Sequence, residues 1–116
     1  MESCEKIMDD LSNNKRIVVV TYDVDRLKNI DLKDKKVKVY DNLKRMYSFR
    51  NDLTIVKIHQ NTDSKFNEIE VKILLILFKS ALRQKVDYVY MSQKFKAMLN
   101  DPQFEEYKKF IKYIGK

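Results

Sequence analysis

The stretch LTIVKIHQNTDSKFNEIEVKILLILF, Leu53 to Phe78, holds the densest apolar content of the chain. Its first part, Leu53 to His59, is rich in β-branched residues and reads as a strand. Gln60 to Asn67 is polar turn material. The remaining residues read in two ways. Ile69-Glu70-Val71-Lys72-Ile73 alternates as a strand does, which would make the whole stretch a β-hairpin. Alternatively, Ser64 or Asn67 opens a helix with Phe66, Ile69, Ile73, Leu74, Leu77, Phe78, Ala81 and Leu82 along it.

Upstream, Arg16 to Tyr22 (RIVVVTY) is apolar on both pleat faces, the pattern of a central strand. Residues 3–12 form a short predicted helix with Cys4, Ile7, Met8 and Leu11 on one side, ended by Asn13-Asn14. Between the two strands, Lys33 to Arg50 places Val39, Tyr40, Leu43, Met46 and Tyr47 at amphipathic-helix spacing, so strand, helix and strand suggest a βαβ unit. Downstream, Val86 to Met91 (VDYVYM) reads as another strand. Asp101-Pro102 then starts a helix lined by Phe104, Tyr107, Ile111 and Ile114 and ended by Gly115. The expected fold is α/β (or α+β). It is one small domain over residues 1–116, with a sheet of three to four strands (16–22, 53–59, 86–91 and, on the hairpin reading, 68–77) flanked by helices that include one at each terminus.

Composition narrows the function classes. A 44% hydrophobic content over 116 residues supports one core, and a single glycine and a single proline argue against an all-β fold of tight turns. With Gly115 as the single glycine, no Gly-rich phosphate loop exists. The single Cys4 forms no internal disulfide and offers no multi-thiolate metal site. Glu2, Glu5, Asp9 and Asp10 give the N-terminus the wrong charge for a leader peptide, and the longest apolar run, Ile73 to Phe78, is too short to span a bilayer. The expected setting is cytoplasmic or otherwise intracellular. A formal charge of +7 and a pI near 9.4 favour a polyanionic partner, nucleic acid first.

That charge is concentrated. Lys33, Lys35, Lys36, Lys38, Lys44, Arg45 and Arg50 stand against Asp34 and Asp41, so this one stretch holds +5 of the +7. On a helix, Asp34 and Asp41 pair with Lys38 and Arg45 four residues on, which leaves Lys33, Lys35, Lys36 and Lys44, with Arg50 at the end, as the phosphate-contacting set. Lys94, Lys96, Lys108 and Lys109 are secondary candidates, and Tyr88, Tyr90 and Tyr113 are candidates for stacking on single-stranded bases. The leading expectation is a small basic protein that binds DNA or RNA without a cofactor. A protein-interaction module, such as a dimerising adaptor, inhibitor or assembly subunit, is the alternative from another class.

One spacing points to catalysis. On the hairpin reading, Asp52 lies roughly opposite Lys72, and Glu70 and Lys72 share a strand face. Two carboxylates beside an ammonium group can hold Mg²⁺ and position water for phosphodiester hydrolysis. In this pattern Asp52 to Lys72 resembles the PD-(D/E)xK nucleases, with Asn51-Asp52 in place of their Pro-Asp. The resemblance implies an Mg²⁺-dependent nuclease with Asp52, Glu70 and Lys72 as its catalytic set. Asp23 and Asp25, directly after the first strand, form a second candidate metal pair. The single histidine, His59, has neither a nucleophile nor a second metal ligand in pattern with it and reads as structural.

Overall fold

The computed structural model describes residues 2–22, 27, 32, 34–58 and 66–115, the side chains of residues 2–4 aside. Asp23, Asp25, Lys33 and His59 therefore lie outside the described residues. Among the described residues, five parallel strands, β1 (Ile17–Thr21), β2 (Val37–Tyr40), β3 (Leu53–Lys57), β4 (Tyr88–Ser92) and β5 (Ile111–Ile114), form one sheet in the order β2-β3-β1-β4-β5. The α-helices α1 (Glu2–Ser12) and α2 (Glu68–Arg83) accompany them, with a 3₁₀ helix over Pro102–Phe110.

The α/β class and the central placement of RIVVVTY hold. β1 sits between β3 and β4, and Ile17, Val18, Val19 and Val20 are all fully buried. Such a run is needed because layers cover both sides of the sheet. On one side, Ile7 and Leu11 of α1 pack with Ile17, Val19, Leu27, Leu53, Ile55 and Tyr90. On the other, Leu74, Leu77, Phe78 and Ala81 of α2 pack with Val18, Val20, Val56, Val89 and Met91. The crossovers obey a single hand. The segment from β1 to β2, moving one way along the sheet, brings Leu27 and Leu32 to the α1 side, whereas the later ones, moving the other way, bring Tyr47, Phe49, α2 and the 3₁₀ helix to the opposite side.

Leu53 to Phe78 resolves as strand and helix, so the hairpin and its strand at 68–77 do not form. Asn67 caps α2: its side chain accepts from the Glu70 N–H at 2.8 Å, and Glu70 Oε1 accepts from the Asn67 N–H at 2.9 Å. This reciprocal box satisfies two backbone donors that a helix start leaves open. The spacing of the buried residues Leu74, Leu77, Phe78 and Ala81 then matches the helical period.

The predicted helix over Lys33 to Arg50 is also corrected. Val37–Tyr40 is the edge strand β2, in register with β3 from Val37 opposite Leu53 to Tyr40 opposite Val56. The chain then returns to β3 without regular structure, and side chains satisfy its backbone. Gln84 accepts from the Phe49 N–H (2.9 Å) and donates to the Tyr47 carbonyl (3.0 Å), while the Tyr40 hydroxyl accepts from the Ser48 N–H (2.9 Å) and the Tyr47 hydroxyl accepts from the Lys44 N–H. Tyr40 meets Tyr47 edge-on with ring centroids 5.2 Å apart, and Tyr47 stacks on Phe49 at 5.3 Å.

At the C-terminus the predicted start is right and the predicted helix is too long. Asp101 caps, accepting from the Gln103 N–H at 3.1 Å, and Pro102 opens the helix. Phe104, Tyr107 and Phe110 recur every three residues, which aligns them on one side of a 3₁₀ helix. All three rings pack on Phe78, with centroids 5.8, 5.5 and 6.1 Å away. Ile111 then turns to extended backbone as β5, paired with β4 from Val89 opposite Ile111.

Candidate nucleic-acid interface

Because every strand runs the same way, the sheet has an amino edge, where strands begin, and a carboxyl edge, where they end. In open α/β sheets ligands bind at the carboxyl edge, at the point where outgoing connections diverge. Here that point lies between β1 and β4: the chain leaves β1 toward β2 and leaves β4 toward β5, in opposite directions.

From the strands' last positions to five residues beyond them, the described residues include Lys44, Arg45, Lys57, Lys94 and Lys96 against Asp41, with Glu68 and Glu70 at the start of α2 as further acidic residues on this edge. Aromatic rings are interleaved with these cations. Lys94 Nζ stands 4.0 Å above the Tyr22 ring, just past the end of β1, and 5.3 Å from the Phe95 ring. Lys96 Nζ is 5.6 Å from the ring of Tyr113 on β5. Phe66, just before α2, stacks on Phe95 at 4.8 Å. The quadrupole of each ring attracts the ammonium over its face, so these pairs fix long side chains that would otherwise sample many rotamers. Tyr22 and Tyr113 are half-buried, and burial pushes the Tyr113 hydroxyl above the usual tyrosine range, with the Lys108 ammonium working against it.

The expected phosphate set does not form one face. Lys35 and Lys36 precede β2 and Arg50 precedes β3, which puts them on the amino edge; Lys44 comes after β2 and belongs to the other. Lys35 Nζ donates to Asn14 Oδ1 at 3.5 Å. Lys108 pairs with Glu105 at 2.8 Å beside the exposed Lys109. Lys94 and Lys96, secondary in the sequence, are central at the carboxyl edge. Of the candidate stacking residues, Tyr113 lies there, whereas Tyr90 is fully buried and donates its hydroxyl to Asp10. Burial, then that bond, raises Tyr90 far above the usual tyrosine range. Tyr88 lies 3.6 Å under Lys112 Nζ, which also pairs with Asp10 at 3.2 Å. This group ties α1 to the sheet.

Asp52, Glu70 and Lys72 are not brought together. Asp52 stands at the amino edge, where its Oδ2 accepts from the Lys36 N–H (3.0 Å) and its carbonyl from the Ile17 N–H (3.0 Å). Glu70 and Lys72 lie in the first turns of α2, which begins beyond the carboxyl end of β3, about 16 Å of strand away. Glu70 is engaged in the capping box, and Lys72 is an exposed side chain 3.9 Å from Glu68. These residues do not fit a shared Mg²⁺ ion, and among the described residues no three His, Cys, Asp or Glu side chains could hold a metal ion. Among the same residues no helix is long and apolar enough to cross a membrane.

Sequence reasoning missed Lys57, Tyr22 and Phe66. The available signal was position: in a parallel sheet, the residues just after each apolar run gather at one edge. Comparison with protein-family models, with curated proteins and with solved structures yields no match, so the functional reading rests on the chain's own residues.

Proposed function

We propose that this protein binds single-stranded nucleic acid along the carboxyl edge of its sheet. The observation that carries the reading is the interleaving of lysines with aromatic rings there: Lys94 with Tyr22 and Phe95, and Lys96 with Tyr113. Cationic groups track a phosphate backbone, and the half-buried rings of Tyr22 and Tyr113 offer aromatic faces to bases of any sequence, while the buried Phe95 supports Lys94 from beneath; this is the combination that single-strand binders use. Lys57, Lys44 and Arg45 extend the positive edge toward β2. The formal charge of +7 adds long-range attraction for a polyanion.

Fluorescence-anisotropy titration of labelled single- and double-stranded DNA and RNA, at low and moderate salt, tests the proposal. Binding is expected to favour single strands and to weaken steeply with salt. Lys94→Ala and Lys96→Ala should each reduce the logarithmic salt slope by about one. Absence of binding at low salt would overturn the reading. A salt-insensitive dimer on gel filtration, in the same preparation, would then direct attention to a protein-interaction role.

A further inference from the structure

A cleft of about 180 Å³ opens at the carboxyl end of β3, lined by Asn42, Leu43, Lys57, Ile58, Glu70 and Ile73. Resting on the single-strand-binding proposal, we infer that this cleft receives one unstacked base and selects cytosine over thymine or uracil. The volume is below the roughly 300–1,000 Å³ of sites for drug-sized ligands and suits a single planar ring. Leu43, Ile58 and Ile73 supply aliphatic walls, which an unstacked base needs once it has left its neighbours. Lys57, exposed at the end of β3, provides the cation for the adjoining phosphate.

Glu70 supplies the selection. Its carboxylate is held in place by the capping box, in which Oε1 accepts from the Asn67 N–H at 2.9 Å. Oε2 makes no hydrogen bond among the described residues. An ionised carboxylate only accepts. Cytosine presents the N4 amine as a donor, whereas thymine and uracil present the O4 carbonyl as an acceptor at the same position. A carbonyl facing Glu70 therefore leaves two acceptors opposed with no proton between them, and discrimination arises from that mismatch. The Asn42 amide, with both a donor and an acceptor, can meet the rest of the base edge.

The test compares oligo-dC with oligo-dT of equal length at moderate salt, with an abasic oligomer of that length as the backbone control. Native protein is expected to bind oligo-dC about five- to tenfold more tightly than oligo-dT. Glu70→Gln keeps a side chain suited to the third helical position and gains an amide that donates to O4, so the ratio should fall to about one. Circular dichroism of this variant should match the native protein, and the loss of one negative charge should tighten its binding to the abasic oligomer, oligo-dC and oligo-dT by a common factor, so that the dC-to-dT ratio isolates the base contact. Asn42→Ala, an exposed substitution outside the cap, should weaken oligo-dC binding without changing abasic binding. Equal affinity of the native protein for oligo-dC and oligo-dT, or a ratio unchanged by Glu70→Gln, would overturn the base assignment while leaving the backbone-binding reading in force. Failure of every oligomer to bind would overturn that reading and this one with it.

Discussion

Replacing Gln84 should cost more than its position at the end of a helix suggests, because its side chain serves the backbone of a distant segment. The amide accepts from the Phe49 N–H at 2.9 Å and donates to the Tyr47 carbonyl at 3.0 Å, spanning the irregular return from β2 to β3. Phe49 is fully buried and Tyr47 nearly so, and neither main-chain group belongs to a regular helix or strand that could supply another partner. Leaving a buried backbone group unpaired costs about 1–3 kcal/mol. Both bonds are only partly buried, so the lower part of that range applies, and removing the pair should cost about 2–3 kcal/mol. Total stability of a domain is about 5–15 kcal/mol, so the loss is a large fraction. Gln84→Met is the cleanest variant, since it keeps side-chain length and removes both bonds; the Arg16 Nη1 bond to the Gln84 carbonyl at 3.1 Å is untouched. In urea unfolding the midpoint should fall by about 1–2 M with the slope unchanged. A midpoint within about 0.3 M of the native value would refute the claim that these bonds hold the crossover.

Buried polar groups set three further expected outcomes. Thr54 is fully buried on β3 and its hydroxyl has no hydrogen-bond partner among the described residues, so Thr54→Val should raise stability by about 1 kcal/mol in the same assay; a loss would mean the hydroxyl is satisfied after all. Asp10→Ala strands the Tyr90 hydroxyl and the Lys112 ammonium, and because Lys112 is partly exposed the expected cost is about 2–3 kcal/mol, with Asp10→Asn losing less, as read by thermal melting. Stability should also fall at alkaline pH. Burial pushes Tyr47 up from 10.0 to about 12 and raises Tyr90 and Tyr107 as well. The unfolded chain therefore gives up these protons first, and the stability present below pH 10 is lost as pH rises toward 12. Unfolding measured on either side of that window, with an unchanged free energy, would contradict the assignment of buried neutral tyrosines.

The central strands were legible because burial on both faces leaves an unmistakable run: Ile17, Val18, Val19 and Val20 follow one another with no polar residue among them. The start of α2 was legible in Asn67 and Glu70, three apart, although the brief alternation from Ile69 to Ile73 imitates a strand when read alone. The edge strand was not. Val39, Tyr40, Leu43, Met46 and Tyr47 fall at helical spacing, yet in the fold Val39 and Met46 are 48% and 86% exposed while Tyr47 is buried. Pairing with β3, a contact sixteen residues away, overrides that local pattern. Similarly, β5 is fixed by β4 and not by its own four residues. Candidate site residues suffered in proportion: the lysines could be counted but not sorted to an edge until the strand directions were known, and the E-x-K triplet had meaning only in a hairpin that does not form.

The strand order also sets a timetable for the newborn chain. β1 finds no neighbour in β2, the next strand made; its partners are β3, whose first residue comes 36 positions after Ile17, and β4, 71 positions on. At a synthesis rate of about 5–20 residues per second, roughly 2–7 s separate β1 from its first partner. Helix α1, already made, can shield Ile17 and Val19 during that interval. Val18 and Val20 point to the other side and wait for α2, so the ribosome presents an uncovered aliphatic face to whatever holdase or neighbouring nascent chain is within reach.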